Sequence, residues 1–393
     1  MSTTVTDVYW DPWEREIYDA PHALYRRLRD EEPLYHNDRH GFYAISRYDD
    51  AERMLQDRET FISGKGVTIG IIKSGMTIPP GTVIFEDPPT HTIHRKLLSR
   101  MFTARNLSGL EDRIRLLCSD ILDQLVGTGE LDFAADLGMV VPMRVIGMLI
   151  GIPVEDQTAI RDSFGGGGNN QKPRDEVLNG ERFAEYVDWR ADHPSDDIMT
   201  QLLHAEFTDA SGEQRCLTRE EVLSYVNIVN AAGNETTLLL IGWAGKLLAE
   251  HPDQRRMLAD DPSLIPAAVD EILRFEAPKL QSARYVTRDV ELHGRTVPEG
   301  STMVLLLGSA NRDERQHADA DRFDITRDTG QLLSFGFGSH YCLGQALARL
   351  EGRVVLEEVL TRFADWNVDW ERAEFGYTAP ELRGYTKLPV FTG

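Results

Sequence analysis

Three cysteines in 393 residues, Cys118, Cys216 and Cys342, are too few and too scattered for a disulfide framework or a CxxC zinc site. That scarcity suits a reducing compartment. Positive charge is also short: 42 Lys and Arg against 64 Asp and Glu leave a formal net charge of −22. A nucleic-acid binder would show a basic footprint instead. The first residues, MSTTVTDVYWDPWEREIYDA, have neither a basic n-region nor an apolar h-region, so no signal peptide is expected. No run approaches the roughly 20 apolar residues of a membrane span. Together these absences predict a cytoplasmic protein, without nucleic acid or membrane as partner. Self-repulsion favours a monomer.

What is present is globular: 41% hydrophobic and 27% charged residues. The length exceeds the roughly 250–300 residues at which a single core stops growing, which implies two lobes or one large α-rich body with an annex. We read a mainly α fold with a small β annex (α+β), one unit over residues 1–393. Its β-rich part comes from N-terminal strands and residues 280–310. Helices are expected over Pro21 to Glu32, His91 to Val126, Phe133 to Ile150 (broken by Pro142) and Ser263 to Phe275. Gly41 to Ser46 alternates as a strand, and Phe61 to Phe85 is apolar but aperiodic, as a covering loop would be. Phe164 to Pro173 carries four glycines, either a surface linker or the hinge of a lid. The longest helix opens at Thr218, where Glu221 completes the spacing of a capping box, and runs to Glu250.

Chemistry concentrates in Phe335 to Glu351, FGFGSHYCLGQALARLE. Cys342 follows a glycine-rich turn and precedes a strong helical pattern, where the dipole and free N–H groups favour a thiolate. A lone thiolate is poor zinc chemistry, which wants four ligands. It suits the fifth position on a haem iron, where an electron-rich sulfur promotes O–O cleavage. A buried structural cysteine would leave Phe335, His340 and Arg349 at their offsets unexplained.

The loop Phe335, Gly338, His340, Cys342, Gly344, with Ala348, Arg349 and Glu351 behind it, resembles the cysteine-ligand loop of the cytochrome P-450 family. The resemblance implies that family's fold, with a long central helix over haem b (iron protoporphyrin IX). It makes Cys342 the iron ligand, Phe335 the shield of its sulfur and His340 a propionate contact, with Gly344 also against the cofactor. Glu271 to Arg274 (EILR) resembles the family's ExxR, joined by Arg312 in a buried ionic network that locks the loop. Ala232 to Thr236 (AGNET) resembles the acid–alcohol pair. There Gly233 weakens the helix, and Thr236 can open a local bulge. Thr236 would then hydrogen-bond bound dioxygen and Glu235 would relay protons, with Thr237 in reserve. His91 and Arg95 share a helix face, and with Arg284 they match the family's propionate-binding residues.

Arg95, Lys96, Arg100 and Arg105 form a positive island, with Arg349 and Arg353 nearby. It is either a solvated face or, by resemblance, the dock of an acidic electron donor. The resemblance implies monooxygenation of a hydrophobic small molecule with dioxygen, with electrons from a separate ferredoxin and ferredoxin reductase. A peroxide-driven peroxygenase of the same fold and a non-catalytic haem-binding sensor are the alternatives. The substrate pocket, by alignment with the family, comprises Val67, Ile69, Ile71, Ile72, Ile228, Ala231 and Leu280. Lys279 would face either a substrate carboxylate or solvent.

Overall fold

The computed structural model describes residues 8–79, 81–163, 180–376 and 379–393, so the glycine-rich segment from Phe164 to Pro173 lies outside the described residues. The fold is mainly helical, with one five-stranded sheet and smaller two- and three-stranded pieces. Six helices position the site: α1 (Thr90–Ser99), α2 (Ala104–Asp123), α3 (Val141–Ile150), α4 (Arg219–Glu250), α5 (Ile265–Phe275) and α6 (Gln345–Arg362).

Helix α4 is the axis. Thr218 accepts from the Glu221 N–H at 3.2 Å, and the Glu221 carboxylate accepts from the Thr218 N–H at 2.8 Å. Both halves of the capping box are therefore made. Its 32 residues span roughly 48 Å at 1.5 Å each. The helix stops at His251 because Pro252 opens the next one. Val222, Leu240, Trp243 and Leu247 share one face and bury it in the largest core cluster, while Ser224, Asn227, Gly242 and Gly245, on other faces, are buried as well. A helix covered on more than one face belongs inside a fold.

The sheet is built from β1 (Leu34–Asn37), β2 (Phe42–Ile45), β3 (Phe61–Ile62), β4 (Ser282–Val286) and β5 (Thr302–Leu305), in the order β1-β2-β5-β4-β3. N-terminal strands thus pair with strands from residues 280–310, as the sequence predicts. Strand β5 runs parallel to β2 and antiparallel to β4, with Met303 opposite Arg284.

Several local expectations change. The helix expected over His91 to Val126 is two, because Arg100 to Thr103 leaves the α path between α1 and α2. The covering segment Phe61 to Phe85 carries structure: β3, a short helix Ile69–Ser74 capped by Thr68, and a 3-10 turn Val83–Phe85. Phe133–Gly138 is π-helical, closed by Met139 N–H to Ala134 O at 2.8 Å, and Pro142 sits in the first turn of α3. The proline therefore starts a helix, where its missing N–H costs nothing, instead of breaking one. Against the expectation that no run comes near a membrane span, the 18 residues Phe133–Ile150 are long and apolar enough by composition to cross one, and two-thirds of the stretch is buried inside the fold as core.

Candidate active site

The turn before Cys342 is fixed by backbone geometry. Gly338 has φ 68°, and a Cβ there would stand 2.7 Å from Leu55 O. No other residue fits. Gly336 also has positive φ, at 69°. The Cys342 N–H donates to Phe335 O at 2.8 Å, closing the loop on itself. The Gly344 N–H points at the Cys342 sulfur. Enclosure pushes the Cys342 thiol up, while that N–H, Arg95, Lys279 and Arg349 pull it down without winning. The helix start alone therefore does not make the thiolate expected from sequence. A metal on the sulfur would.

Phe335 is buried, and the Arg349 guanidinium lies over its ring at 4.5 Å. Arg349 is held there by Asp270 at 2.7 Å. Gly344 is different from the turn glycines: its φ is −85°, and no protein atom lies within 4 Å of a Cβ placed there. Nothing in the chain itself demands glycine at this position.

Four basic side chains converge beside this loop. The rings of His91 and His340 are 4.0 Å apart, and both nitrogens of His91 are buried without a partner. Burial pushes His340 down to about 3, helped by His91, Arg284 and Arg95. His91 is lowered by the same causes, burial first and Arg95 next. Arg284 is buried, which lowers it to about 10, and its bonds go to Ser282 Oγ at 3.0 Å and Ala283 O at 2.8 Å. Arg95 donates to Tyr341 O. The neighbouring carboxylates are engaged elsewhere: Asp87 accepts from the Ser63 and Gly64 N–H groups, and Glu86 binds His94 at 2.9 Å.

A flat dianion fits here. Its carboxylates would satisfy the guanidinium and imidazole donors, and its face would rest on the open side of Gly344. Among the described residues no group of three or more His, Cys, Asp or Glu is placed to hold a metal ion. A group that brings its own metal ligands and takes one sulfur matches that donor set.

On α4, Ala232 is exposed although residues 221–227 and 239–245 of the same helix are buried, and Thr236 Oγ1 donates to Ala232 O at 3.1 Å. The expected bulge is absent. Helix α4 is unbroken α from Arg219 to Glu250, since the Thr236 hydroxyl closes onto the i−4 carbonyl without displacing the backbone. Thr237 is buried in the core, so it cannot stand in for Thr236. Glu235 is pushed up to about 7 by burial and then by the charge of Glu381. Lys279 feels both Glu381 and Cys342. One electrostatic neighbourhood therefore joins the middle of α4, the C-terminal loop and the cysteine.

The ionic network behind the loop divides in two. Arg274 and Glu271, both fully buried, pair through two bonds of 2.6 and 2.9 Å. Arg274 also donates to Asn311 O and Ala320 O. The third member is Arg327, 3.3 Å from Glu271. Arg312, expected there, instead binds Glu276 at 3.1 Å and the Phe275 carbonyl at 2.8 Å. Asn311 and Ser334 were missed by sequence reasoning. Asn311 accepts from the Leu333 N–H at 2.9 Å and donates to Ser334 Oγ at 2.6 Å, and Ser334 donates to Leu273 O. That relay ties α5 to the turn before Phe335. The only signal was Asn311 adjoining Arg312.

Of the expected pocket residues, Val67 and Ile69 line a cavity of about 150 Å³ with Gln281, Val304 and Glu381. Leu280 does not: it is 3% exposed and packs against Gly308, so its neighbours Gln281 to Ala283 supply the wall. Ile71 and Ile72 lie on the short helix outside that wall, and Ile228 and Ala231 are partly buried on α4. The cations flanking the positive island are neutralised: Arg353 binds Glu111 and Glu357, and Arg349 binds Asp270. Of the island itself, Arg95 turns to Tyr341 O, Lys96 and Arg100 are exposed, and the Arg105 side chain lies outside the described residues.

The family model described as Cytochrome P450 matches residues 174–371. Cytochrome P450 130 of Mycobacterium tuberculosis is 35% identical over 373 residues, covering 90% of each chain. The vitamin D(3) 25-hydroxylase of Pseudonocardia autotrophica is 33% identical over 407 residues, covering 100% of this chain and 98% of its own. Among solved structures, cytochrome P450 CYP109Q5 from Chondromyces apiculatus superposes with a TM-score of 0.86 at 34% identity, covering 98% of both chains.

Proposed function

The chain belongs to the cytochrome P450 family of haem b monooxygenases, and from that premise we propose the roles of its residues and the reaction they run. Cys342 is the iron ligand, with the Gly344 N–H tempering the charge on its sulfur. Phe335 shields that sulfur, and Gly344 gives the cofactor a flat seat. His91, Arg95, Arg284 and His340 hold the propionates. The convergence of these four donors, with both His91 nitrogens unpartnered, carries the reading. Haem b, when bound, supplies the activation of dioxygen.

The rest belongs to α4. The Thr236 hydroxyl can turn from Ala232 O toward dioxygen in the cleft, and Glu235 holds a proton near neutral pH for delivery. That acid–alcohol pair favours dioxygen over peroxide as the oxidant. One oxygen atom enters an apolar small molecule and the other leaves as water. Val67, Ile69 and Val304 support an apolar substrate. The chain acts as one unit in the cytoplasm, as a monomer. It takes electrons from a ferredoxin and its reductase that approach the exposed Lys96 and Arg100 side.

The test is spectroscopic. Cys342→Ser is expected to abolish the red-shifted Soret band of the reduced carbon-monoxide complex, and its retention would refute the ligand. Thr236→Ala is expected to divert electrons from product to hydrogen peroxide. Unchanged coupling removes Thr236 from the proton path.

A further inference from the structure

The cavity between the Val67–Gly70 segment, the start of β4 and the C-terminal loop is walled by acceptors. Glu381 contributes a carboxylate. Gln281 is 5% exposed and its Oε1 is sealed from the open space, so the accessible charge of the wall is that of Glu381. Trp13, 41% exposed, offers an indole at the rim, and indole faces attract cations.

Positive charge is missing from the wall. No Lys, Arg or His is among the described lining residues. The Ser282 hydroxyl is spent, donating to Val67 O at 3.5 Å and accepting from Arg284 at 3.0 Å. Thr68 Oγ1 accepts from the Ile71 N–H to cap its helix, so its O–H, like the Trp13 and Gln281 N–H groups, is a neutral donor only. Lys279 stands behind the wall, its backbone bridged to Leu382, and attracts Glu381 from outside the cavity.

We propose that this cavity receives a cationic group of the substrate, an ammonium seated between the Glu381 carboxylate and the Trp13 ring. The Glu381 charge and the indole face select the cation. The apolar remainder of the molecule would lie along Val67, Ile69 and Val304. The inference names a substrate class for the monooxygenase reading and rests on that reading only for what happens at the iron.

The experiment compares three ten-carbon probes on the holoprotein below micellar concentrations: decyltrimethylammonium, decanoate and decanamide. A quaternary ammonium cannot ligate iron, so its effect is not confused with coordination. Calorimetry reads binding, and the Soret shift separately reads whether a probe displaces water at the iron. The cation is expected to bind at least ten-fold tighter than decanoate. Glu381→Gln should weaken the cation about ten-fold and leave decanamide within two-fold. Lys279→Met should strengthen cation binding, a gain that an unfolded variant could not produce. Equal affinities, a preference for decanoate, or indifference to Glu381→Gln overturns the proposal. Cation selectivity with no Soret response supports the cavity's role and counts against the iron-side reading. A Soret response to decanoate at equal or better affinity does the reverse.

Discussion

Two sets of buried arginines flank the same cysteine loop, and they differ in how their donors are used. Arg274 spends its guanidinium inside the protein, on Glu271, Asn311 O and Ala320 O. Arg284, with His91 and His340 beside it, has no carboxylate in hydrogen-bond reach among the described residues. Both sets are desolvated, so both bear the cost of burial. Only the first recovers it within the chain. A saturated cluster holds a fold, and an unsaturated one is shaped for something that arrives later. Local rules do not separate them, because EILR and HTIHR look equally ordinary on a helix; the family resemblance alone assigned one to the lock and the other to the propionates.

The sharpest break of this contrast is Glu271→Gln. It leaves Arg274 charged and unmatched at full burial, and a loss of about 3–5 kcal/mol is expected, read as a fall in the urea midpoint of the apoprotein. A smaller loss would mean that the pair is not the lock of the loop. Arg284→Met should behave in the opposite way. The apoprotein is expected to keep its stability, while haem affinity falls about ten- to hundred-fold, the worth of one or two charge-assisted bonds. Titrating apoprotein with hemin measures it, and a variant that unfolds without changed haem affinity would merge the two clusters into one.

The pH dependence of Glu235 gives a milder effect. Its folded value of about 7 lies above the ordinary 4.5. The folded state therefore holds a proton that the unfolded state has lost between those values. Stability is expected to fall as pH rises through that window and to level off above it. About 1–2 kcal/mol remains after allowance for solvent screening. Glu235→Gln should flatten the curve, which denaturation at pH 5 and pH 8 would show. Ser334→Ala is the smallest test. Losing the hydroxyl between Asn311 and Leu273 O should cost about 1 kcal/mol and broaden the Soret band as the loop loosens.

Features written in adjacent residues were legible. The capping box at Thr218, the glycine turn into Cys342 and the strand pieces near 280–310 all appear where local rules put them. What failed was long-range. Arg312 and Arg327 are 15 positions apart, and which of them reaches Glu271 depends on how the intervening loop folds back. Leu280 was assigned to the pocket when its neighbours line it, because its partner Gly308 is 28 residues away. The bulge in α4 was expected from Gly233 and Thr236, yet the Thr236 hydroxyl closes onto the Ala232 carbonyl and the helix stays regular.

Glu276 has a consequence for how the chain is made. Its carboxylate is pushed up by burial but held well below the usual carboxylate range by Arg383, His22 and Arg312, and it binds all three. His22 comes from the helix His22–Glu31, Arg312 from the stretch after β5, and Arg383 from a segment 107 residues beyond Glu276. A nascent chain therefore carries this acid incompletely matched until that later segment has emerged from the ribosome. Closure of this region waits on a meeting that no local stretch of the chain can make alone.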